Sequence, residues 1–252
     1  MERYPIKEKG CGPCLIINNY KFDRSFNREG TNADENRLRD VFQWLGCEVT
    51  CHRDATSSDI DDILRDLCAK DHSNTDVVVL CILSHGSLGK VYGVDDSSVE
   101  IQDILETLER CKQLVNKPKL IIIQACQGYR RSRYSLFQSD GPIKPRDSEG
   151  DEKNSKREYY IPTMSDFLVV NSTTPKNASW RHPNLGGYFI RELCIKLEEH
   201  AGDLHIVDIV TITNNHLGTK WHTKDADVSK AQIGNMTMNT LRKKLFFRPN
   251  HS

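Results

Sequence analysis

Two residues of this 252-residue chain have the chemistry of a nucleophile and its base, and both follow apolar runs. His85 stands in Ser84-His85-Gly86, two positions after the run Val77–Leu83. Cys126 stands in Gln124-Ala125-Cys126-Gln127-Gly128, three positions after the run ending at Ile123. A thiol attacks as the thiolate, so at neutral pH it needs a neighbouring base or cation. Gly86 and Gly128 leave backbone N–H groups approachable, as oxyanion stabilisation requires. Taken singly, each residue has a blander reading. A Cys after a buried strand is more often inert core, and a His there more often a turn residue.

The elements that must position them alternate. Cys14–Ile17 is a short apolar run that fits a buried strand, and Thr31–Leu45 carries Leu38, Val41, Phe42 and Leu45 on one helical face. Cys47–Cys51 is a second strand, and a helix follows that Ser57 or Ser58 would cap. Val77–Leu83 is apolar on both faces, as a central parallel strand is. Ile101, Ile104, Leu105 and Leu108 mark a third helix, and Lys119–Gln124 another buried strand. This β-α-β-α-β-α-β order predicts an α/β sandwich with a largely parallel sheet. Ligands bind off the carboxyl ends of such strands, where His85 and Cys126 would meet.

Residues 129–158 break the pattern, with 14 charges in 30 positions. Such a stretch cannot bury enough surface to order itself and reads as an exposed linker. Order resumes with a strand at Asp166–Val170, helices at about Leu185–Leu197 and Leu204–Asn214, a strand within Gln232–Asn239 and a basic, aromatic tail.

Composition removes several function classes. Lys plus Arg is 35 and Asp plus Glu is 35, and zero net charge argues against a nucleic-acid or membrane-surface binder. No apolar run approaches the roughly 20 residues of a membrane helix. No secretory signal is visible, and nine cysteines then read as thiols of a cytoplasmic protein. Cys11-Gly12-Pro13-Cys14 spells a redox word, but it precedes the strand instead of opening a helix. Cys14 then reads as a strand residue and Cys11 as an exposed thiol. Cys47, Cys51 and His52 form an incomplete metal set, and no phosphate loop follows the first strand. No metal or cofactor is expected.

Gln124–Gly128 fits the Q-A-C-x-G signature of caspases, and the resemblance extends from Gly12 to about Pro249. CLIINNYKF resembles the family's first strand, and REGTNADENRLRDVFQWLGCEV its first helix and second strand. VLCILSHGSLGKVYGVD resembles the segment with the catalytic His, KPKLIIIQACQG the nucleophile strand, and PTMSDFLVVNSTTPKNASWR with GGYFIRELC the small-subunit core. The resemblance implies a three-layer α/β/α sandwich around a mainly parallel central sheet. It also implies a cysteine endopeptidase that cuts after aspartate. Cys126 would be the nucleophile and His85 the proton donor to the leaving amine, with the N–H groups of Gly86 and Cys126 as oxyanion hole. Arg28, Gln124 and Arg181 would grip the P1 aspartate, as suits two guanidiniums and an amide. Ser179 and Trp180 would belong to the substrate-binding strand, Trp180 lining P2.

The chain departs from the family at Gln127, where relatives usually have Arg, and at Asn171, where many have Tyr. An amide pair there would replace a cation–π contact and hold the active loop less firmly. His182 and Tyr188 replace residues that relatives often use for an acidic P4 side chain.

The resemblance divides the chain into a prosegment at 1–10, a large-subunit region at 11–140, a processing linker at 129–158 and a small-subunit region at 159–252. About ten residues before the first motif read as a short prodomain, hence a zymogen of programmed cell death activated by linker cleavage. Asp140, Asp147 and Asp151 are the candidate cuts, ranked in that order. Implied partners are proteins with P1 aspartate, upstream or sister caspases, inhibitor-of-apoptosis proteins and a second copy, giving a homodimer of large/small heterodimers. The alternative is a catalytically weak or silent relative that regulates another caspase. Silent relatives have usually lost part of the set His85, Cys126, Arg28, Gln124 and Arg181, which is complete here.

Overall fold

The computed structural model describes residues 1–7, 11–128, 163–220, 223–225, 228–230 and 232–249. Its first half runs β1 (Gly12–Asn18), α1 (Thr31–Trp44), β2 (Cys47–Arg53), α2 (Ser57–Ala69) and β3 (Val78–Leu83). A small antiparallel sheet follows, β4 (Gly86–Ser87), β5 (Lys90–Tyr92) and β6 (Ser98–Glu100). Then come α3 (Ile101–Arg110) and β7 (Lys119–Gln124). The second half holds β8 (Phe167–Asn171), β9 (Arg181–His182), β10 (Gly186–Gly187), α4 (Tyr188–His200) and α5 (Ile206–Lys220). It ends with the hairpin β11 (Thr223–Asp225) and β12 (Val228–Lys230), and with β13 (Asn235–Asn239).

The main sheet is ordered β13-β8-β7-β3-β1-β2. All its pairings are parallel except β13 with β8. Side-chain alternation along the strands loads both faces, as expected for a sheet buried on two sides. Val79, Cys81 and Leu83 of β3 face α1, α4 and α5, while Val78, Leu80 and Ile82 face α2 and α3. The result is the α/β/α sandwich expected from the sequence.

The differences from expectation have local causes. Thr56, not Ser57 or Ser58, caps α2, because its hydroxyl accepts the Asp59 N–H while Asp59 accepts the Thr56 N–H. Ser57 is engaged by Asp95 instead. Helix α4 starts at Tyr188, three residues later than predicted. Gly186, at φ +81°, turns the chain where any Cβ would strike the Asp34 carboxylate. Cys11 is buried, not exposed, in the same apolar cluster as Tyr4 and Ile6. Residues 1–7 lie against the C-terminal tail: Tyr4 N–H donates to Lys244 O at 3.0 Å, and Arg3 stacks over the Phe246 ring at 4.1 Å.

Candidate active site

Strands β3 and β7 run in parallel with Leu83 opposite Gln124. The chain therefore leaves both strands at one level, and His85 and Cys126 each follow two residues later. The Ser84 N–H donates to Gln124 O at 3.2 Å, tying the two exits together. Gly86 closes the gap: a Cβ there would lie 2.8 Å from Ala125 Cβ and 2.9 Å from Cys126 O. Only glycine permits this approach of the two loops.

The loop between β1 and α1 completes the histidine side. His85 Nε2 donates to Phe26 O at 2.7 Å. A carbonyl can only accept, so Nε2 carries the proton and Nδ1 is the ring's basic nitrogen. Phe22 packs its ring 4.5 Å from the imidazole centroid. Burial holds the His85 pKa below its ordinary value. The Phe26 bond and Asp96 oppose this, and the Arg28 and Arg181 charges reinforce it. The imidazole is thereby biased toward its neutral, proton-accepting form.

The two arginines lie beside the thiol. Arg28 is 1% exposed and donates to Asn19 O (2.9 Å), Thr31 Oγ1 (2.8 Å) and Gln124 O (3.3 Å). All three acceptors are neutral. Its Nε is buried with no partner among the described residues, and so is Gln124 Oε1. Arg181 donates Nε–H to Glu29 O at 2.6 Å. Burial lowers both guanidinium pKa values. Arg28 is pushed further down by Arg181, while Asp34 opposes the shift in both. Asp34 is itself buried, accepts the Gly187 N–H at 2.7 Å and is pushed up to about 6 by burial.

Residues 172–181 form the remaining wall. Gln124 Nε2 donates to Ser179 Oγ at 2.8 Å, and the Ser179 N–H reaches Cys126 Sγ at 3.4 Å. Ser172 and Ser179 share a hydroxyl bond of 2.8 Å. Gln232 braces this wall from behind, accepting the Trp180 N–H at 2.8 Å and donating to Ser172 O at 2.6 Å. The structure thus gathers Cys126, His85, Gly86, Arg28, Gln124, Ser179, Trp180 and Arg181 at one sheet edge. Asp140, Asp147 and Asp151 lie outside the described residues.

The family described as "Caspase domain" matches residues 11–246. The chain belongs to the caspase family. It is 35% identical to caspase-8 of Rattus norvegicus over 268 residues, covering 98% of this chain and 53% of that protein. It is 32% identical to caspase-7 of Gallus gallus, covering 97% and 80%, and 33% identical to caspase-3 of Mesocricetus auratus, covering 97% and 86%. The chain spans about half the length of the caspase-8 relatives it matches.

Against that family background, the departures at Gln127 and Asn171 have a definite geometry. Gln127 Nε2 donates to Asn171 Oδ1 at 3.2 Å, and Asn171 Nδ2 donates to Thr237 Oγ1 at 2.8 Å on β13. The backbone holds this caspase's loop as well: Gln127 N–H donates to Asn177 O at 2.9 Å, and Lys176 N–H to Gln127 O at 2.7 Å. His182 spends Nδ1 on the N–H groups of Asn184 and Leu185, within its own turn. Sequence reasoning missed Phe26, Asp34 and Gln232. Phe26 acts through a backbone carbonyl that its side-chain type cannot advertise. Asp34 and Gln232 read as ordinary polar residues until the fold buries them.

Proposed function

We propose that this chain is a cysteine endopeptidase that hydrolyses peptide bonds after aspartate. The observation that carries the reading is the pair of guanidiniums beside Cys126, Arg28 buried and Arg181 half-buried, with Arg28 Nε unpaired among the described residues. A buried cation with only neutral acceptors is costly, and an incoming carboxylate removes that cost. Turning the Gln124 amide by half a rotation lets Oε1 accept the Ser179 hydroxyl and aims the Nε2 donors at the same carboxylate.

In the reaction neutral His85 takes the Cys126 thiol proton, the thiolate attacks the scissile carbonyl, and the N–H groups of Gly86 and Cys126 hold the oxyanion. The His85 imidazolium gives its proton to the departing amine as the tetrahedral intermediate collapses to a thioester. Water, deprotonated by the now neutral imidazole, then releases the acid and regenerates the thiol. No cofactor takes part.

Fluorogenic peptides that differ only at P1 test this reading. Linker-cleaved wild-type protein should cleave after Asp at least about a hundredfold better than after Asn or Glu, since unpaired buried charge discriminates strongly. No cleavage, or equal cleavage of all three, overturns it.

Activation follows from cutting the linker at Asp140, Asp147 or Asp151, by an upstream or sister caspase. A triple Asp→Ala variant that is still processed and activated normally removes that idea. Among the described residues the edge strand β13 pairs on one side only, which leaves the other for two-fold pairing with a second copy. A purely monomeric cut protein at micromolar concentration argues against it. The relative named cell death protein 3, from Caenorhabditis remanei and 32% identical, supports a role in programmed cell death.

A further inference from the structure

His85 depends on one surface loop for its orientation, and that loop has little burial of its own. Residues 23–27 are all exposed, and Phe26 is 92% exposed, so hydrophobic packing cannot fix the carbonyl that orients the imidazole. Hydrogen bonds must do it. One is Asp23 N–H to Val94 O at 3.0 Å. Another closes the loop beyond Phe26, Arg28 N–H to Tyr20 O at 3.0 Å, and those made by the two residues just before Phe26 converge on Asp96, in the turn between β5 and β6. Its Oδ2 accepts the N–H groups of Arg24 (2.8 Å) and Ser25 (3.3 Å), and its Oδ1 accepts the Ser25 hydroxyl. Asp96 does this from φ +58°, a left-handed conformation in which glycine would be unstrained. Strain kept where a carboxylate has a task points to function.

We propose that Asp96 is a positioning residue for His85. It clamps Arg24 and Ser25 so that the next residue, Phe26, presents its carbonyl to His85 Nε2. The inference rests on the reading of His85 as the acid–base group. Arg28 is excluded from the effect, because it is buried and separately anchored to Asn19, Thr31 and Gln124. Loosening the clamp should therefore slow turnover and leave aspartate binding alone.

Asp96→Gly removes the carboxylate and relaxes the backbone. The expected result is kcat about tenfold lower, KM within about twofold, and a melting temperature equal to or above that of the wild type. Ser25→Ala deletes one of the three bonds and should lower kcat about threefold. Nitrogen-15 NMR of the imidazoles, with His85→Ala to assign the signal, gives a readout independent of turnover. The His85 Nε2 proton should be protected from exchange in the wild type and lost to exchange in Asp96→Gly. An unchanged imidazole signal overturns the clamp whatever the activity, as does a kcat loss matched by a lower melting temperature. A wild type inactive on aspartyl peptides, with the imidazole proton still released by Asp96→Gly, overturns the proposed function and leaves the clamp standing.

Discussion

Strand β7 begins at Lys119 and ends at Gln124, and buried charge gathers at both ends with opposite outcomes. At the Lys119 end, Asp166 accepts Tyr4 Oη at 2.6 Å, Arg242 Nε at 2.9 Å and Arg242 Nη2 at 2.7 Å. Burial would raise the Asp166 pKa, but the Arg242 and Tyr4 bonds outweigh it and hold the carboxyl below its usual value. Lys119 lies 4.6 Å over the Phe167 ring, donates to Leu114 O, and is pushed down to about 8 by burial. At the Gln124 end, two arginines face one another and polar atoms stay unpaired. One end is saturated and supports the fold. At the other, Asp34 lies near the two arginines, yet among the described residues their hydrogen bonds go only to neutral oxygens, and such a deficit marks a place where a ligand can complete the structure.

The sharpest way to break this comparison is to remove the chemistry from the unsaturated end. Cys126→Ala should abolish peptide cleavage, a loss of several orders of magnitude, and His85→Ala should come close to it. Thermal melts of both variants should stay near the wild type. Residual turnover in purified Cys126→Ala would contradict the assignment.

Arg181→Ala tests the deficit itself. Losing one charge-assisted partner of the P1 carboxylate should cost about 3 kcal/mol, or about a hundredfold in kcat/KM, seen mainly in KM. Arg181→Lys should not restore it, because an ammonium lacks the planar fork.

Asp166→Asn tests the saturated end. Breaking a fully buried pair costs about 3–5 kcal/mol, but the Arg242 side chain is 35% exposed, so about 2 kcal/mol is expected. Urea unfolding measures it, and aspartyl-peptide cleavage should be unchanged. The same group sets a pH dependence. Because the folded pKa is depressed, its stabilisation is present above the unfolded value, near about 4, and is lost as pH falls through the folded value. Below about pH 4 the wild type should lose melting temperature faster than Asp166→Asn, and parallel curves would refute this.

The smallest effect is expected at Asn171. Asn171→Ala removes the partners of Gln127 Nε2 and Thr237 Oγ1, at a cost of about 1 kcal/mol in urea unfolding. Turnover should fall only a few-fold, since two backbone bonds still hold Gln127.

Much of this protein was legible in the chain. Short apolar runs such as Val78–Leu83 and Leu120–Ile123 fit strands of a sheet covered on both faces, so strand identity and layer order followed from period and length. The words around His85 and Cys126 identified the family. Parallel strands alone implied that the two residues share an edge. What the sequence could not determine depends on atoms whose partners are distant in the chain. The His85 tautomer is set by a Phe26 carbonyl 59 residues away. The Gly186 turn is dictated by a carboxylate on α1, and the burial of Cys11 by the cluster that holds Tyr4 and Ile6. Side-chain periodicity records which face is apolar. It carries no information about which backbone carbonyl, or which distant carboxylate, arrives beside a given group.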